Sequence, residues 1–377
     1  MRPGLARLAE ALGQVRWVGG AVRDTLVDAT VSDVDAATPL PPEEVIERLR
    51  GAGIRAIPTG IEHGTITAVL EDGPVEVTTL RRDVTTDGRH ATVEFSDDWR
   101  EDAARRDFTI NALYADPRTL ELFDYFGGLG DLAARRVRFI GDARQRIRED
   151  HLRILRYYRF QCRFSSELDA EAEAACTELA PALKGLSRER VSMELLNLLG
   201  LPDPSATVAQ MQRAGVLQVI LPEVTDVASL LRLTAEEARQ QVSPHPLRRL
   251  AALLPADPDL AEQIAARLRL SRAQRERLAC IAARAPGDPD HPHALAYRQG
   301  SECAIDRLLL AEASIAPIRD WPIPQIPLKG GEIVARGIAA GPEVARVLRE
   351  VEARWVDEGF PEAPRVATLL DEVLAGN

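Results

Sequence analysis

Val18-Gly19-Gly20-Ala21-Val22-Arg23-Asp24, followed by Ser32-Asp33-Val34-Asp35, is the stretch on which the reading of this chain turns. Two carboxylates one residue apart on an extended segment project to the same side of a strand. A core gives no reason for two like charges that close, because each raises the cost of ionising the other. A pair of divalent cations removes the conflict, and the paired metals of phosphoryl-transfer sites lie roughly 3.5–4 Å apart. The Gly19-Gly20 turn lets the backbone approach a phosphate closely, since glycine has no Cβ. Together these features point to nucleotidyl transfer. When Asp-x-Asp stands alone, a solvated loop is the plain alternative.

Three further blocks follow in order. The first is Asp102-Ala103-Ala104-Arg105-Arg106-Asp107-Phe108-Thr109-Ile110-Asn111-Ala112-Leu113, and the second Gly127-Gly128-Leu129-Gly130-Asp131-Leu132. The third is Arg148-Glu149-Asp150-His151-Leu152-Arg153-Ile154-Leu155-Arg156-Tyr157-Tyr158-Arg159-Phe160. In this order and spacing the four blocks resemble the class II tRNA nucleotidyltransferases (CCA-adding enzymes) and bacterial poly(A) polymerases. That family belongs to the polymerase β-like nucleotidyltransferase superfamily. The resemblance is strong over residues 15–195 and weaker to the C-terminus.

Composition sets the bounds. A chain of 377 residues can bury a sizeable core and form two to four domains. No run approaches twenty consecutive apolar residues, so no membrane span is expected. The first ten residues are a short amphipathic segment without an apolar signal-peptide core, and the cytoplasm is the expected compartment. Cys162, Cys176, Cys280 and Cys303 lack metal-site spacing and read as small core residues. The six histidines form no His-Asp pair of the kind that the phosphohydrolase domain of some relatives needs, so that domain is expected to be absent. The net charge of −11 argues at first against a nucleic-acid partner. Between Arg135 and Arg163, however, ten arginines face only Asp142, Glu149 and Asp150, a local strip suited to phosphates. A solvated helix face is the alternative for that strip.

Apolar spacing predicts a helix over residues 4–13, a short strand over 15–18 and a helix over 21–27. A strand over 31–36 carries both aspartates, and a helix follows over 42–52. Residues 65–70 and 75–80 alternate as a hairpin joined by Glu71-Asp72-Gly73-Pro74. The polar, poorly periodic segment 79–90 reads as a mobile loop. In relatives that loop is needed for switching from C to A addition. After Gly130 the pattern is helical, with amphipathic spacing over 142–164 and 168–179 and Ser187 as the N-cap of a further helix. From Pro202 onward, helices alternate with Pro-rich punctuation. The fold class expected is α+β. A mixed α/β nucleotidyltransferase head is placed at 1–126 and a helical neck with the base-binding helix at 127–200. A helical body and tail that binds tRNA is placed at 201–377.

The resemblance implies roles residue by residue. Asp33 and Asp35 would be the catalytic carboxylates and hold two Mg²⁺ ions for attack of an RNA 3′-hydroxyl on the α-phosphate of CTP or ATP. Glu76, on the neighbouring predicted strand, is the candidate third ligand; an outward-facing strand residue is the alternative. Gly19, Gly20, Arg23 and Asp24 match the motif whose turn and arginine contact the triphosphate. Asp28 departs from that motif, because relatives more often have glycine there. Arg105, Arg106 and Asp107, with Asn111 in the same block, match the motif that contacts sugar hydroxyls and phosphates. Asp107 can accept from a ribose hydroxyl while Arg105 holds its position; a buried structural ion pair is the alternative.

Glu149, Asp150 and Arg153 carry the nucleotide choice. On one helix, Asp150 and Arg153 are i and i+3 and hence neighbours. A carboxylate only accepts and a guanidinium only donates. Side by side they complement the donor-next-to-acceptor edge of cytosine or adenine and reject guanine and uracil. The family uses these residues in this way, and an ordinary helix salt bridge is the alternative. Arg156 and Arg159 continue that face toward the triphosphate or the pocket. The expected partners are tRNA, CTP and ATP, with no protein partner implied.

CCA addition is the leading expectation. A poly(A) polymerase is the runner-up, although the basic Gly-Arg-Arg-Phe-like block of those enzymes is missing. An A-adding enzyme of a split CC/A system stays open, and a non-catalytic RNA-binding relative would be expected to lack Asp33 and Asp35.

Overall fold

The computed structural model describes residues 3–31, 33–87, 90–164, 167–224 and 226–376. The chain divides into two compact units, Met1–Pro222 and Glu223–Asn377. In the first, α1 (Pro3–Leu12) buries Leu5, Leu8, Ala9 and Leu12, one apolar stripe at helical spacing. β1 (Arg16–Val18), α2 (Gly20–Leu26), β2 (Val34–Thr38) and α3 (Pro42–Gly51) follow, then β3 (Arg55–Gly60), β4 (Thr65–Leu70) and β5 (Gly73–Thr79). Next come a separate hairpin of β6 (Arg81–Asp87) and β7 (His90–Phe95), then α4 (Trp99–Ala104), β8 (Leu113–Ala115) and β9 (Leu122–Asp124). Seven strands form one sheet in the order β3-β4-β5-β2-β1-β8-β9, with β2 and β5 parallel and the other neighbours antiparallel.

Strand alternation gives the sheet two different faces. Trp17, Val34, Ala36, Val75 and Val77 lie on one face and are buried, each large apolar side chain contributing about 1.5–3 kcal/mol of transfer free energy. On the other face the register aligns Glu76 with Asp35, Asp35 with Val18, Val18 with Tyr114 and Tyr114 with Phe123. One row across five strands therefore runs from two carboxylates through a buried phenol to Phe123.

The rest of this unit is helical: α5 (Gly128–Ala133), α6 (Ala143–Glu149), α7 (Arg153–Phe164), α8 (Ala170–Leu179), α9 (Arg188–Leu199), α10 (Ser205–Arg213) and α11 (Val216–Ile220). Ser187 caps α9, its side chain accepting from the Arg190 amide. The second unit comprises α12 (Ala228–Arg239), α13 (Pro246–Ala252), α14 (Pro258–Arg267), α15 (Arg272–Ala282) and α16 (Pro292–Gln299). These are followed by α17 (Ser301–Leu310), α18 (Gly330–Val334), α19 (Pro342–Asp357) and α20 (Ala363–Ala375). Its interior holds apolar clusters around Leu308 and around Trp355, and a buried ionic group in which Glu237 and Asp306 balance Arg248 and Arg249. Among the described residues no helix is long and apolar enough to cross a membrane.

Four expectations are corrected. β2 begins at Val34, so Asp33 precedes the strand rather than lying on it. The expected loop over 79–90 contains β6 and the start of β7, paired in register, with Arg82 bridging to Glu94 at 2.8 Å; its turn, residues 88–89, lies outside the described residues. Pairing along that hairpin is carried by backbone hydrogen bonds, which leave no apolar period to read. The single helix expected over 142–164 is broken, because Asp150 is extended (φ −152°, ψ 106°). Its side chain accepts the Leu152 amide at 3.1 Å and its carbonyl accepts the Arg153 amide at 3.0 Å, local bonds that compete with a continuing helix. Finally, Cys280 and Cys303 form a disulfide between α15 and α17, while Cys176 is buried and half-buried Cys162 donates to the Asp203 carbonyl at 3.4 Å.

Candidate active site

The row on the open face of the sheet sets the site's charge. Asp35 is half-buried and faces Glu76 across the β2–β5 ladder, and both are flanked by buried apolar neighbours that fix their direction. Burial pushes the Asp35 carboxyl above its ordinary pKa; Glu76 and Asp33 add to that rise, while Arg106 opposes it. Exposed Asp33 thus acts on Asp35 from the adjoining segment. An all-oxygen, like-charged donor set of this kind fits a hard divalent cation. Among the described residues no three His, Cys, Asp or Glu side chains converge into a ready-made ligand group, so phosphate oxygens and waters would have to supply the rest of the coordination.

Next to this row, Gly19 adopts φ +69°, a left-handed backbone open to glycine without steric cost. A Cβ built there would lie 3.6 Å from Arg106 Nη1, so that guanidinium hangs over the turn. Arg106 is held from behind. Its Nη2 donates to Asp102 Oδ2 at 3.1 Å and its Nε to the Tyr114 hydroxyl at 3.2 Å, while that hydroxyl donates to Asp102 Oδ2 at 2.7 Å. Burial alone would raise the Asp102 carboxyl, but Arg106, Arg105 and Tyr114 outweigh it and hold its pKa down at about 2. Arg105 donates to Asp102 through Nε at 2.9 Å and Nη2 at 2.7 Å, so it does not orient Asp107 as expected.

Asp107 is instead gripped by Arg156, from Nε at 2.8 Å and Nη2 at 2.7 Å, by Asn111 Nδ2 at 2.9 Å and by the Phe108 amide at 2.8 Å. Burial would raise its carboxyl, and these donors hold it below the ordinary range. Asn111 accepts from Arg23, which pairs with Asp24 at 2.8 Å and lies over the rings of Phe160 and Phe164. Asp24 takes a second cation, Arg163, at 2.9 Å. Buried Glu194 on α9 accepts from Arg159 Nε at 2.6 Å and pairs with Arg156 at 3.4 Å. Arg23, Asp24, Asn111, Asp107, Arg156 and Arg159 are thereby linked in one ionic chain.

The break after α6 rearranges the expected base-reading pair. Arg153 opens α7 and pairs with Glu149 at 2.6 Å, while also donating to the Arg146 and Arg105 carbonyls. Asp150 is not its partner; it pairs with Arg190 of α9 at 2.6 Å. The i,i+3 argument therefore fails as geometry, because the two residues are not on one continuous helix.

The Gly127-Gly128 block supports the site from beneath. Asp131 of α5 accepts from the Thr109 hydroxyl at 2.6 Å and from Arg138 at 3.0 Å. A Cβ on Gly128 would sit 2.3 Å from the Thr109 carbonyl oxygen, so only glycine permits this approach. Sequence reasoning gave no weight to Asp102, Tyr114, Arg190 or Glu194. Asp102 and Tyr114 flank the Arg105-Arg106-Asp107 block, and an acid at i−4 from Arg106 was the available signal. Arg190 and Glu194 act on residues some forty positions upstream, and no local pattern reports that contact.

Comparison with known proteins places the chain in a family. The family model described as the Poly A polymerase head domain matches residues 15–138, and that described as a probable RNA and SrmB-binding site of polymerase A matches residues 167–227. The mouse protein "CCA tRNA nucleotidyltransferase 1, mitochondrial" is 35% identical over 92% of this chain and 84% of its own length. An Enterococcus faecalis CCA-adding enzyme is 39% identical over 48% of this chain and 44% of its own. The crystal structure of the Bacillus stearothermophilus CCA-adding enzyme in complex with CTP superposes with a TM-score of 0.78 at 26% identity, covering 99% of this chain and 98% of that one. Similarity sustained across both units, at 35% identity and over 84% of the mouse enzyme's length, makes this chain a member of the CCA tRNA nucleotidyltransferase family.

Proposed function

We infer that this enzyme adds CCA to the 3′ end of tRNA, using CTP and ATP and no nucleic-acid template, with release of pyrophosphate. The observation that carries the reading is the in-register pair of Asp35 and Glu76 beside the Gly19–Gly20 turn, in a chain similar to CCA tRNA nucleotidyltransferases along nearly its whole length. Enzymes of this superfamily use divalent metal ions. The ion we propose here is Mg²⁺, held by Asp33 and Asp35 with Glu76 as third carboxylate, because it prefers oxygen ligands and retains waters beside phosphates. When bound it would lower the pKa of the attacking hydroxyl and neutralise charge on the departing pyrophosphate.

The chain's own residues would do the rest. The Gly19–Gly20 turn and Arg106 would meet the triphosphate, with Arg23 and Asp24 fixing the turn from below. Asp107, its Oδ2 committed to Arg156 and its Oδ1 accepting from Asn111 and the Phe108 amide, would have to share one of these oxygens to accept from a ribose hydroxyl. Asp150 and Arg153 would read the base edge, Asp150 giving up or sharing Arg190 and Arg153 sharing Glu149. In domain terms, we propose a catalytic head over 1–126, a base-binding neck over 127–200 and a tRNA-binding body and tail over 201–377. The cytoplasm is the proposed compartment; the mouse relative is named as mitochondrial, and cell fractionation decides between them.

The test is incorporation of labelled CTP and ATP with Mg²⁺ into tRNA transcripts ending before CCA, after C and after CC. Addition of two C and one A, followed by stopping, supports the reading. Addition of A to the CC-ended transcript alone would indicate a split system, and long A tails on unrelated RNA a poly(A) polymerase.

A further inference from the structure

We propose that Tyr114, acting with Asp102, is a positioning residue for nucleotide binding: it holds the Arg106 guanidinium between the Gly19–Gly20 turn and Asp35, where the triphosphate would lie. The proposal rests on the nucleotidyl-transfer reading of that site and assigns a role to two residues outside it. Three observations carry it.

The first is register. Asp35, Val18 and Tyr114 occupy adjacent strands in one cross-strand row, so the phenol and the carboxylate rise from the same face with only Val18 between them. Opposed residues on antiparallel neighbours are about 5 Å apart, which places Asp35 and Tyr114 about 10 Å from each other. That gap matches the reach of a guanidinium that contacts one and acts electrostatically on the other, as Arg106 does.

The second is the direction of each hydrogen bond. Asp102 is 1% exposed and anionic, its carboxyl held down at about 2. Burial pushes the Tyr114 hydroxyl above its ordinary pKa, so the phenol keeps its proton. With only one proton, the hydroxyl donates to Asp102 and must accept from Arg106 Nε. No alternative arrangement satisfies all three groups. Two of the three Arg106 nitrogens are thereby fixed, and Nη1 is the one that overhangs Gly19.

The third is packing. Tyr114 is fully buried, its ring edge-on to Trp99 at 5.5 Å and to Tyr125 at 6.1 Å. The hydroxyl thus has a defined position, and Arg106 receives a fixed anchor rather than a mobile one.

The experiment uses the full chain and the variants Tyr114→Phe, which keeps the ring packing, and Asp102→Asn. CTP and ATP affinities are measured by equilibrium binding with Mg²⁺ and without tRNA, alongside kcat, KM for each nucleotide, KM for tRNA and thermal stability. A lost hydrogen bond to a charged group predicts that Y114F weakens binding of both nucleotides by the same factor, about 3–10-fold, with KM rising in parallel and the tRNA KM unchanged. D102N should do at least as much, and the double variant should be no weaker than D102N alone, since both act through Arg106. A fall in Tm with unchanged nucleotide affinity in folded Y114F would overturn the proposal, as would weakening confined to one nucleotide. Should the wild-type enzyme bind CTP and ATP but incorporate neither, the proposed function fails while the binding arm still decides the role of Tyr114.

Discussion

Replacing Asp35 with asparagine should make the metal-free protein more stable while destroying its activity. Asp35 and Glu76 face each other on parallel neighbours, strands that lie about 4.8 Å apart. Two like charges at about 5 Å in the high effective dielectric of a half-open face repel by about 1–2 kcal/mol. Asp35→Asn removes that repulsion and keeps the side chain's shape. For a unit of this size, 1 kcal/mol moves the melting point by about 2–4 °C, so a rise of about 2–8 °C is expected in EDTA. The sign with pH follows from the direction of the shift. A carboxyl whose pKa is raised by folding takes up its proton more readily in the folded state, so the wild type recovers stability as pH falls and the gap to the variant closes. Scanning calorimetry in EDTA and again with Mg²⁺ provides the assay. Mg²⁺ should raise the wild-type melting point and leave the variant nearly unmoved. A variant that melts below the wild type in EDTA, or that gains as much from Mg²⁺, would refute the reasoning.

Further outcomes can be checked on single substitutions. Asp102, with a folded pKa of about 2 against 3.8 unperturbed, contributes about 2 kcal/mol of stability above about pH 4, which is lost as pH falls through about 2. Asp102→Asn should therefore lower the urea midpoint at pH 7 and flatten its decline toward pH 3; equal acid slopes would count against the ion-pair account. Asp28 sits at φ +52°, a left-handed conformation that glycine adopts without penalty, so Asp28→Gly should stabilise by about 0.5–1 kcal/mol and a lower melting point would contradict this. Gly128→Ala puts a methyl into the Thr109 carbonyl and should cost about 1–3 kcal/mol in chemical denaturation, whereas a neutral change would mean that α5 can slide away.

The parts of the site that were legible are those written in short, chemically committed strings. Asp33 and Asp35 with the Gly-Gly turn, and the Arg105-Arg106-Asp107 block, announce phosphate chemistry because few other environments tolerate such residues together. Asp28 is a smaller instance: the departure from glycine falls on a residue that adopts a positive φ. The reading failed where partners come from elsewhere in the chain. Adjacency pairs Arg105 with Asp107, yet Asp102 holds Arg105 and Arg156 holds Asp107. Helical spacing pairs Asp150 with Arg153, yet its own backbone-directed hydrogen bonds end that helix and α9 supplies Arg190.

By itself the sequence determined the class of chemistry, the α+β order with helices after the head, and which residues could carry charge to a phosphate. Motif spacing and apolar period are local quantities, and local quantities survive in a string. Only the tertiary structure decided who partners whom. Sheet register places Glu76, Asp35 and Tyr114 in one row, and helix packing delivers Glu194 and Arg190 to α7 and to the break before it. Register and packing are set by the burial of the whole apolar set at once, a sum over contacts distant in sequence that no window of residues contains.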